Sequence, residues 1–425
     1  MKIIVVDDSK FFCALLKKKI EEHFSYDVIT ASDYQKAQEL LALHDHSEIA
    51  ACLIDYRLPD AKDGQAVKLF TKHKIPTIVL ISDITKKIRN YIWQRKIVDY
   101  VIKNDKYITN DIIDLLSRLQ KNDQIKIAIV DDSPTSMAIL NELLKVHKYQ
   151  VILFNSPVKA FEYLENNSDI KMLITDYEMP EMNGCELTKK VRRLYNKQEL
   201  AILGISSKGE NLMSANFLKH GADDFIIKQT FLAEEFYIRV SEYITRLETY
   251  AKLRDAATKD FLTGIYNRRH FFEVAEKLHA NNIRQELPFA CALIDIDHFK
   301  KVNDNYGHNI GDQVICHIAH LLHHSIRQSD VLARFGGEEF CIYMTGITKK
   351  DVRTIFNKIR ETIHQSVITT NKGDIKVTIS IGVETSMHSS LDAVIENADK
   401  CLYNAKRKGR NKVVMSRGKL KQVAH

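Results

Sequence analysis

The 425-residue chain has no apolar run approaching the roughly 18 residues needed to cross a bilayer. Its first residues lack the charged-then-apolar pattern of a secretory leader. The seven cysteines (13, 52, 185, 291, 316, 341 and 401) are odd in number, scattered, and mostly set inside apolar runs. That argues against a disulfide framework or a cysteine metal site and suits a reducing, cytoplasmic compartment. The single tryptophan, Trp93, reads as a packing residue rather than a platform for a base. Neither sign of charge dominates. The net charge is +7, and much of the excess lies at 406–421, which carries eight Lys/Arg and no acid. This reads as a phosphate grip followed by a basic end, not as a nucleic-acid surface. His317, His320 and His324 share one helical face by spacing, but no HExxH or cysteine partner accompanies them, so a half-exposed helix face is favoured over zinc.

An apolar content of 45% is normal for a globular protein. The length allows two to four domains. The first 230 residues contain a repeat. Lys2-Ile-Ile-Val-Val-Asp-Asp-Ser9 recurs as Lys126-Ile-Ala-Ile-Val-Asp-Asp-Ser133, a period of 124. Leu53-Ile-Asp55 recurs as Leu173-Ile-Thr-Asp176, Ile81-Ser82 as Ile205-Ser206, and Tyr100-Val-Ile-Lys103 as Phe225-Ile-Ile-Lys228. Each copy alternates short apolar strands with helical segments, which predicts a parallel sheet with helices on both faces. Ligands of such sheets bind at the carboxyl ends of the strands, where the recurring polar residues fall. Between 232 and 257, Phe236, Val240, Tyr243, Leu247 and Tyr250 follow the 4-3-4-3 spacing of a short coiled-coil seam. The segment is expected to continue the last helix of the second copy.

The most informative stretch is Arg334-Phe-Gly-Gly-Glu-Glu-Phe340. Apolar residues on both sides make Gly336 and Gly337 a hairpin tip. Two carboxylates follow, hard ligands suited to Mg²⁺ together with substrate phosphates. A second carboxylate pair ends the apolar run Phe289–Ile296, at Asp295-Ile296-Asp297, so Asp295 and Glu338 could share a metal. Asn303 and Asp312, near Gly307 and Gly311, offer an amide and a carboxylate suited to a guanine edge. Lys406 and Arg410 bracket Gly409 and could neutralise a triphosphate.

Residues 258–415 resemble the GGDEF family of diguanylate cyclases. DFLTGIYNRRHF at 260–271, DIDHFKKVNDNYGHNIGD at 295–312 and RFGGEEF at 334–340 carry the resemblance, with ISIGV at 379–383 and ADKCLYNAKRKGRN at 398–411. It implies a ferredoxin-like α+β domain that condenses two GTP into cyclic di-GMP and two pyrophosphates across a homodimer. It also implies that Asp295, the Ile296 carbonyl and Glu338 hold two Mg²⁺, that Asn303 and Asp312 read guanine, and that Phe299 and Lys300 lie along the phosphates. Lys406 and Arg410 would grip the β/γ end, and Glu339 would stand near the attacking 3′-hydroxyl as metal ligand or base. Arg327-Gln-Ser-Asp330 matches the family's RxxD inhibitory site for product, although Lys358 stands where a secondary arginine often does. A silent nucleotide-binding domain and a mixed-dinucleotide cyclase are the alternatives; the intact acids and Asp312 weigh against them.

Both repeats resemble response-regulator receiver domains, doubly wound and flavodoxin-like. The resemblance implies one Mg²⁺ in each, held by Asp7, Asp8 and Asp55 or by Asp131, Asp132 and Asp176. Asp55 and Asp176 would be the phosphoacceptors, with Ser82 and Lys103, or Ser206 and Lys228, as the switch residues. A sensor histidine kinase or phosphotransfer protein is the implied donor. The first copy reads DYRLPDAKDG, one residue longer than usual after the Asp, and Asn104 and Gln229 replace the usual proline. The expected division is receiver 1–121, receiver 124–246, helical linker 232–257, cyclase 258–415 and basic tail 416–425. No membrane partner is expected.

Overall fold

The computed structural model describes residues 1–207, 211–229 and 232–416, and the chain divides into two compact units, Met1–Tyr250 and Ala251–His425. Most of the expected basic tail, 417–425, lies outside the described residues.

The first unit holds two five-stranded parallel sheets. Strands β1 Lys2–Val6, β2 Asp27–Ala31, β3 Ile49–Asp55, β4 Thr77–Ile81 and β5 Asp99–Ile102 are ordered 2-1-3-4-5. Strands β6 Lys126–Val130, β7 Gln150–Phe154, β8 Ile170–Asp176, β9 Ala201–Ser206 and β10 Asp224–Ile227 repeat that order, 7-6-8-9-10. This is the flavodoxin-like arrangement. The repeated Asp-Asp-Ser has a local cause. Ser9 and Ser133 are N-caps whose side chains accept from the amides of Phe12 and Ser136, so each strand turns directly into its helix with its acids at the strand end.

The long loop of the first copy absorbs its extra residue in a small turn closed by two backbone bonds between Leu58 and Ala61. Asp60 then accepts from the amides of Tyr34 and Gln35 at 2.9 and 3.0 Å.

Helix Ala233–Thr258 follows β10 of the second copy, and its apolar stripe is no exposed seam. Phe236, Val240 and Leu247 are buried with Ile127 and Ile129 of β6, and Tyr243 packs beside them. The stripe has found its partner in its own domain, and only Tyr250 stays largely exposed. The two copies also meet each other. Trp93 stacks on Tyr237 at 5.7 Å, and Arg118 reaches Glu248, the Ser241 carbonyl and Thr245 at 3.1, 2.9 and 2.8 Å.

The second unit is an α+β domain. Its strands are β11 Tyr266–Asn267, β12 Phe289–Ile296, β13 Val331–Gly336, β14 Glu339–Thr345, the hairpin pair β15 Ile368–Thr370 and β16 Gly373–Ile375, β17 Ile379–Glu384 and β18 Val413–Met415. The main sheet runs 11-13-14-12-17-18. Its centre is antiparallel, with helices between β12 and β13 and between β14 and β17, the βαββαβ pattern of a ferredoxin-like fold. One face is covered by helices Phe299–Tyr306, His308–His324 and Lys349–Gln365, the other by Arg268–Gln285 and Leu391–Arg407. Gly382 is required here. A Cβ would stand 2.1 Å from the Leu402 amide nitrogen, because Leu391–Arg407 lies directly on β17.

Candidate active site

In the second unit the site gathers where β12 ends. All eight residues of β12 are buried, and Asp295 at its end pairs with Glu339 on β14 and Ser380 on β17. The β13–β14 hairpin adds Glu338. Its glycines are not demanded by backbone strain, since neither has a positive φ. A Cβ on Gly337 would meet nothing within 4 Å, so the pair leaves open space beside the acids.

Burial pushes the Asp295 carboxyl upward, with Glu339 and Asp297 adding to the shift against Lys406. Burial, then the charge of Asp295, raises Glu338. Two adjacent carboxylates that resist ionisation form a donor set in need of a cation. The Lys406 ammonium lies 2.7 Å from Asp295 and meets part of that need. Hard oxygen donors with raised proton affinity fit Mg²⁺.

Two clamps fix this end. Asp297, to which the motif gave no role, accepts from Thr378 and Ser380 at 2.7 and 2.6 Å and from the Asn411 amide at 3.0 Å. It ties the end of β12 to the turn carrying Arg410, while Arg360 holds the Asn411 side chain at 2.7 Å. Arg334 grips both oxygens of Asp260 at 3.1 and 3.2 Å and bonds the Gly337 carbonyl at 2.7 Å. Burial alone would raise Asp260, but Thr263 and Arg334 hold it below its ordinary range. The signal for Asp297 was present, since two acids spaced two apart on a strand share a face. Which one builds the loop is decided by residues 81 to 114 positions away.

One flank carries Asn303 and Asp312. Gly307, at φ +88°, separates helices Phe299–Tyr306 and His308–His324 and brings Asn303 against Gly311. The Asn303 Oδ1 is buried without a hydrogen-bond partner, and Asp312, next to Gly311 in sequence, is exposed. An unpaired buried acceptor is costly unless a ligand supplies the donor. The Phe299 side chain belongs to the core, so it can offer a phosphate only the backbone at its helix start, whereas Lys300 is exposed.

Arg327 and Asp330 form a closed local turn. The Arg327 amide donates to the Asp330 carboxylate, and the Asp330 amide to the Arg327 carbonyl, both at 3.0 Å. Burial raises Asp330 against the nearby Arg327 charge. Lys358 is exposed. The His320 and His324 rings lie tilted with centres 4.1 Å apart on an exposed helix face, and no metal-type cluster among the described residues includes them.

In the first unit, carboxylate oxygens of Asp7, Asp8 and Asp55 lie within 4.8 Å of one another, as do those of Asp131, Asp132 and Asp176. Lys103 stands 2.6 Å from both Asp7 and Asp55, and Lys228 stands 2.7 and 2.9 Å from Asp131 and Asp176. Burial raises Asp7 and Asp176 despite these lysines. Both triads fit a hard divalent cation. The switch positions differ, for Ser82 is exposed and Ser206 buried.

Comparison with known proteins fits this arrangement. Residues 257–412 match the family model "Diguanylate cyclase, GGDEF domain", and residues 127–236 match "Response regulator receiver domain". "Probable diguanylate cyclase DgcT" of Escherichia coli is 40% identical over 166 residues, covering 38% of this chain and 36% of that protein. "Response regulator PleD" of Caulobacter vibrioides is 29% identical over 300 residues, 68% of this chain and 65% of its own. The chain thus spans between about a third and two thirds of these relatives' lengths. A solved response regulator/GGDEF domain protein aligns at 32% identity with a TM-score of 0.49, over 58% of this chain and 99% of its own. The chain therefore carries a GGDEF domain preceded by a receiver domain.

Proposed function

We propose that the chain is a phosphorylation-regulated diguanylate cyclase that condenses two GTP into cyclic di-GMP and two pyrophosphates as a homodimer. The observation that carries this reading is buried Asp295 acting on half-buried Glu338, with an ammonium already drawn to the aspartate, in a domain that also holds an unpartnered buried Asn303 amide oxygen. Asp295, the Ile296 carbonyl and Glu338 would hold two Mg²⁺. When bound, Mg²⁺ neutralises charge on an in-line phosphate and favours deprotonation of the attacking oxygen. Asn303 and Asp312 orient guanine. Lys406 exchanges Asp295 for the β/γ phosphates when nucleotide binds, and Arg410 joins it from the turn that Asp297 fixes. Glu339 takes the 3′-hydroxyl proton. Each domain supplies one half-site, so a lone domain is inactive.

The two copies in the first unit act as receivers, 1–121 and 124–246. Each holds one Mg²⁺, and Asp55 or Asp176 accepts a phosphoryl group from a sensor kinase or phosphotransfer protein. Ser82 and Lys103, or Ser206 and Lys228, read the new charge and change the pairing of two chains. Arg327 and Asp330 bind cyclic di-GMP as feedback inhibitor. Seven free cysteines suit the cytoplasm, and among the described residues no helix is long and apolar enough to cross a membrane. The test is incubation of the purified chain with GTP and Mg²⁺, with and without a beryllofluoride-type phosphoryl mimic, products separated by chromatography. Absence of cyclic di-GMP under both conditions refutes the reading.

A further inference from the structure

Between helix Leu391–Arg407 and β18 the chain makes a turn in which three successive residues are left-handed. Gly409, Arg410 and Asn411 have φ values of +99°, +60° and +45°. Glycine takes such a conformation freely and asparagine tolerates it, but arginine rarely adopts it. Strain of this kind persists where the surroundings over-determine it, and it gathers at ligand clamps.

Three bonds hold this turn. The Arg410 amide donates to the Ala405 carbonyl at 3.1 Å. The Asn411 amide donates to Asp297 at 3.0 Å, and the Asn411 Oδ1 accepts from the Arg360 guanidinium at 2.7 Å. Both holds on Asn411 come from outside the turn, one from the end of β12 and one from helix Lys349–Gln365. Arg360 is itself fixed. Its other terminal nitrogen donates to Glu361 at 2.6 Å, and its side chain is 19% exposed. Val352, Phe356, Ile359 and Ile363 anchor its helix in the core. The amides of Gly409, Arg410 and Asn411 are all spent inside the protein, so the turn can offer a ligand only side chains. Among the described residues the Arg410 guanidinium has no hydrogen-bond or ion-pair partner.

We propose that Arg360, acting through Asn411, is a positioning residue for the phosphate tail of the nucleotide. It holds Arg410 in its left-handed conformation, with the guanidinium free to meet the β and γ phosphates. The inference rests on the cyclase reading, which puts those phosphates at Lys406 and Arg410. It goes further by giving Arg360, which is bonded to Asn411 and Glu361 and not to the catalytic acids, control over how strongly the site prefers a triphosphate to a monophosphate. The base is read by Asn303 and Asp312, so the clamp acts on the tail alone.

The test is calorimetric titration of the full chain in Mg²⁺ with two probes, 3′-deoxy-GTP and GMP, beside thermal melts. Arg360→Ala should weaken 3′-deoxy-GTP about 10-fold, the low end for a hydrogen bond made to a charged group, and leave GMP within about twofold of wild type. Arg360→Lys, which keeps a donor for Asn411, should recover most of the lost affinity. Asn411→Gly keeps the turn conformation and removes the acceptor, so it should reproduce the loss even if Arg360→Ala folds poorly. In an Arg410→Ala chain, adding Arg360→Ala should cost nothing further, because a residue acting only through Arg410 has nothing left to position.

An unchanged ratio of the two affinities in Arg360→Ala and Asn411→Gly overturns the proposal. So does a parallel fall for both probes, which marks a merely structural role, or additive losses in the double variant, which mark a path around Arg410. A wild-type chain that binds both probes equally also overturns it, since the tail is then not gripped. A ratio that narrows as expected in a chain forming no cyclic di-GMP would sink the cyclase reading and leave the clamp standing.

Discussion

Replacing Gly311 with alanine tests the guanine flank through a single methyl. A Cβ at this position would stand 1.9 Å from Asn303 Oδ1, 3.1 Å from its Cγ and 3.2 Å from Phe299 Cζ. Phe299 is held in the core, so the Asn303 amide must yield. Forcing a methyl into a packed site costs about 1–3 kcal/mol. Gly311 lies inside helix His308–His324 without positive φ, so alanine returns about 1 kcal/mol of helix propensity. The net loss is about 0–2 kcal/mol, which a domain of ordinary stability survives. Binding pays more, since a displaced Asn303 loses its bond to guanine and leaves a polar edge unmatched, about 1–3 kcal/mol. That corresponds to roughly 5- to 150-fold in Kd. The assay is calorimetric titration of wild type and Gly311→Ala with 3′-deoxy-GTP, beside thermal melts of both. A folded variant that binds the analogue within twofold of wild type refutes the argument and removes Asn303 from the guanine site.

Asp295→Asn and Glu338→Gln should each abolish cyclic di-GMP formation while leaving the far-ultraviolet spectrum unchanged; near wild-type turnover in both would remove the catalytic assignment. The same acids predict a pH effect. Their folded pKa values lie above the ordinary 3.8 and 4.5, so the folded chain binds more protons than the unfolded one in the window above those values. Without Mg²⁺, their contribution to stability should therefore fall as pH rises through that window, and added Mg²⁺ should restore it at the upper end. Melts against pH that are identical for wild type and Asp295→Asn would contradict this. Arg327→Ala should raise the product plateau of progress curves without lowering the initial rate; equal plateaus would reduce the RxxD motif to a local turn. Asp176→Asn should blunt stimulation by the beryllofluoride mimic, and the Asp55→Asn/Asp176→Asn double variant should abolish it, since both removed carboxylates are the ones paired to the switch lysines. Full stimulation of the double variant would sink the receiver-switch mechanism.

How much was legible depended on how local each feature is. The Asp-Asp-Ser repeat announced both parallel sheets because strand end, acid cluster and helix cap follow one another within eight residues. The hairpin at Gly336-Gly337 was readable for the same reason. The stripe Phe236, Val240, Tyr243, Leu247 announced a helix face but not what covers it. Over two turns, the spacing of a coiled-coil seam and that of a face packed on a sheet coincide. The core of the second copy took it. Lys406 on Asp295 and Arg334 on Asp260 join residues far apart in the chain. No local pattern specifies such pairs; the sheet order does, by bringing the ends of β12, β13 and helix Leu391–Arg407 together.

On the proposed function, three phosphate-handling sites would share one electrostatic device. Lys103 lies across Asp7 and Asp55, Lys228 across Asp131 and Asp176, and Lys406 on Asp295. In each, an ammonium sits among acids, of which burial raises Asp7, Asp176 and Asp295. Burial alone would lower Lys103 and Lys228, but their bonds to the acids raise both and keep them charged. On the proposed function, the cation that meets an incoming phosphate would be in place before it arrives, leaving little reorganisation at the moment of transfer. The sites differ in completeness. Each triad in the first unit draws its acids and its lysine from a single sheet, so on the proposed function one copy would accept a phosphoryl group alone. The cyclase end has two acids, a lysine and one guanine flank, with the opposite flank open beside Glu339. On the proposed function, half of its reactants would come from another chain. That asymmetry makes chain pairing a lever a receiver can pull: a switch that only brought two domains together would supply what the catalytic end lacks, without altering a residue in it.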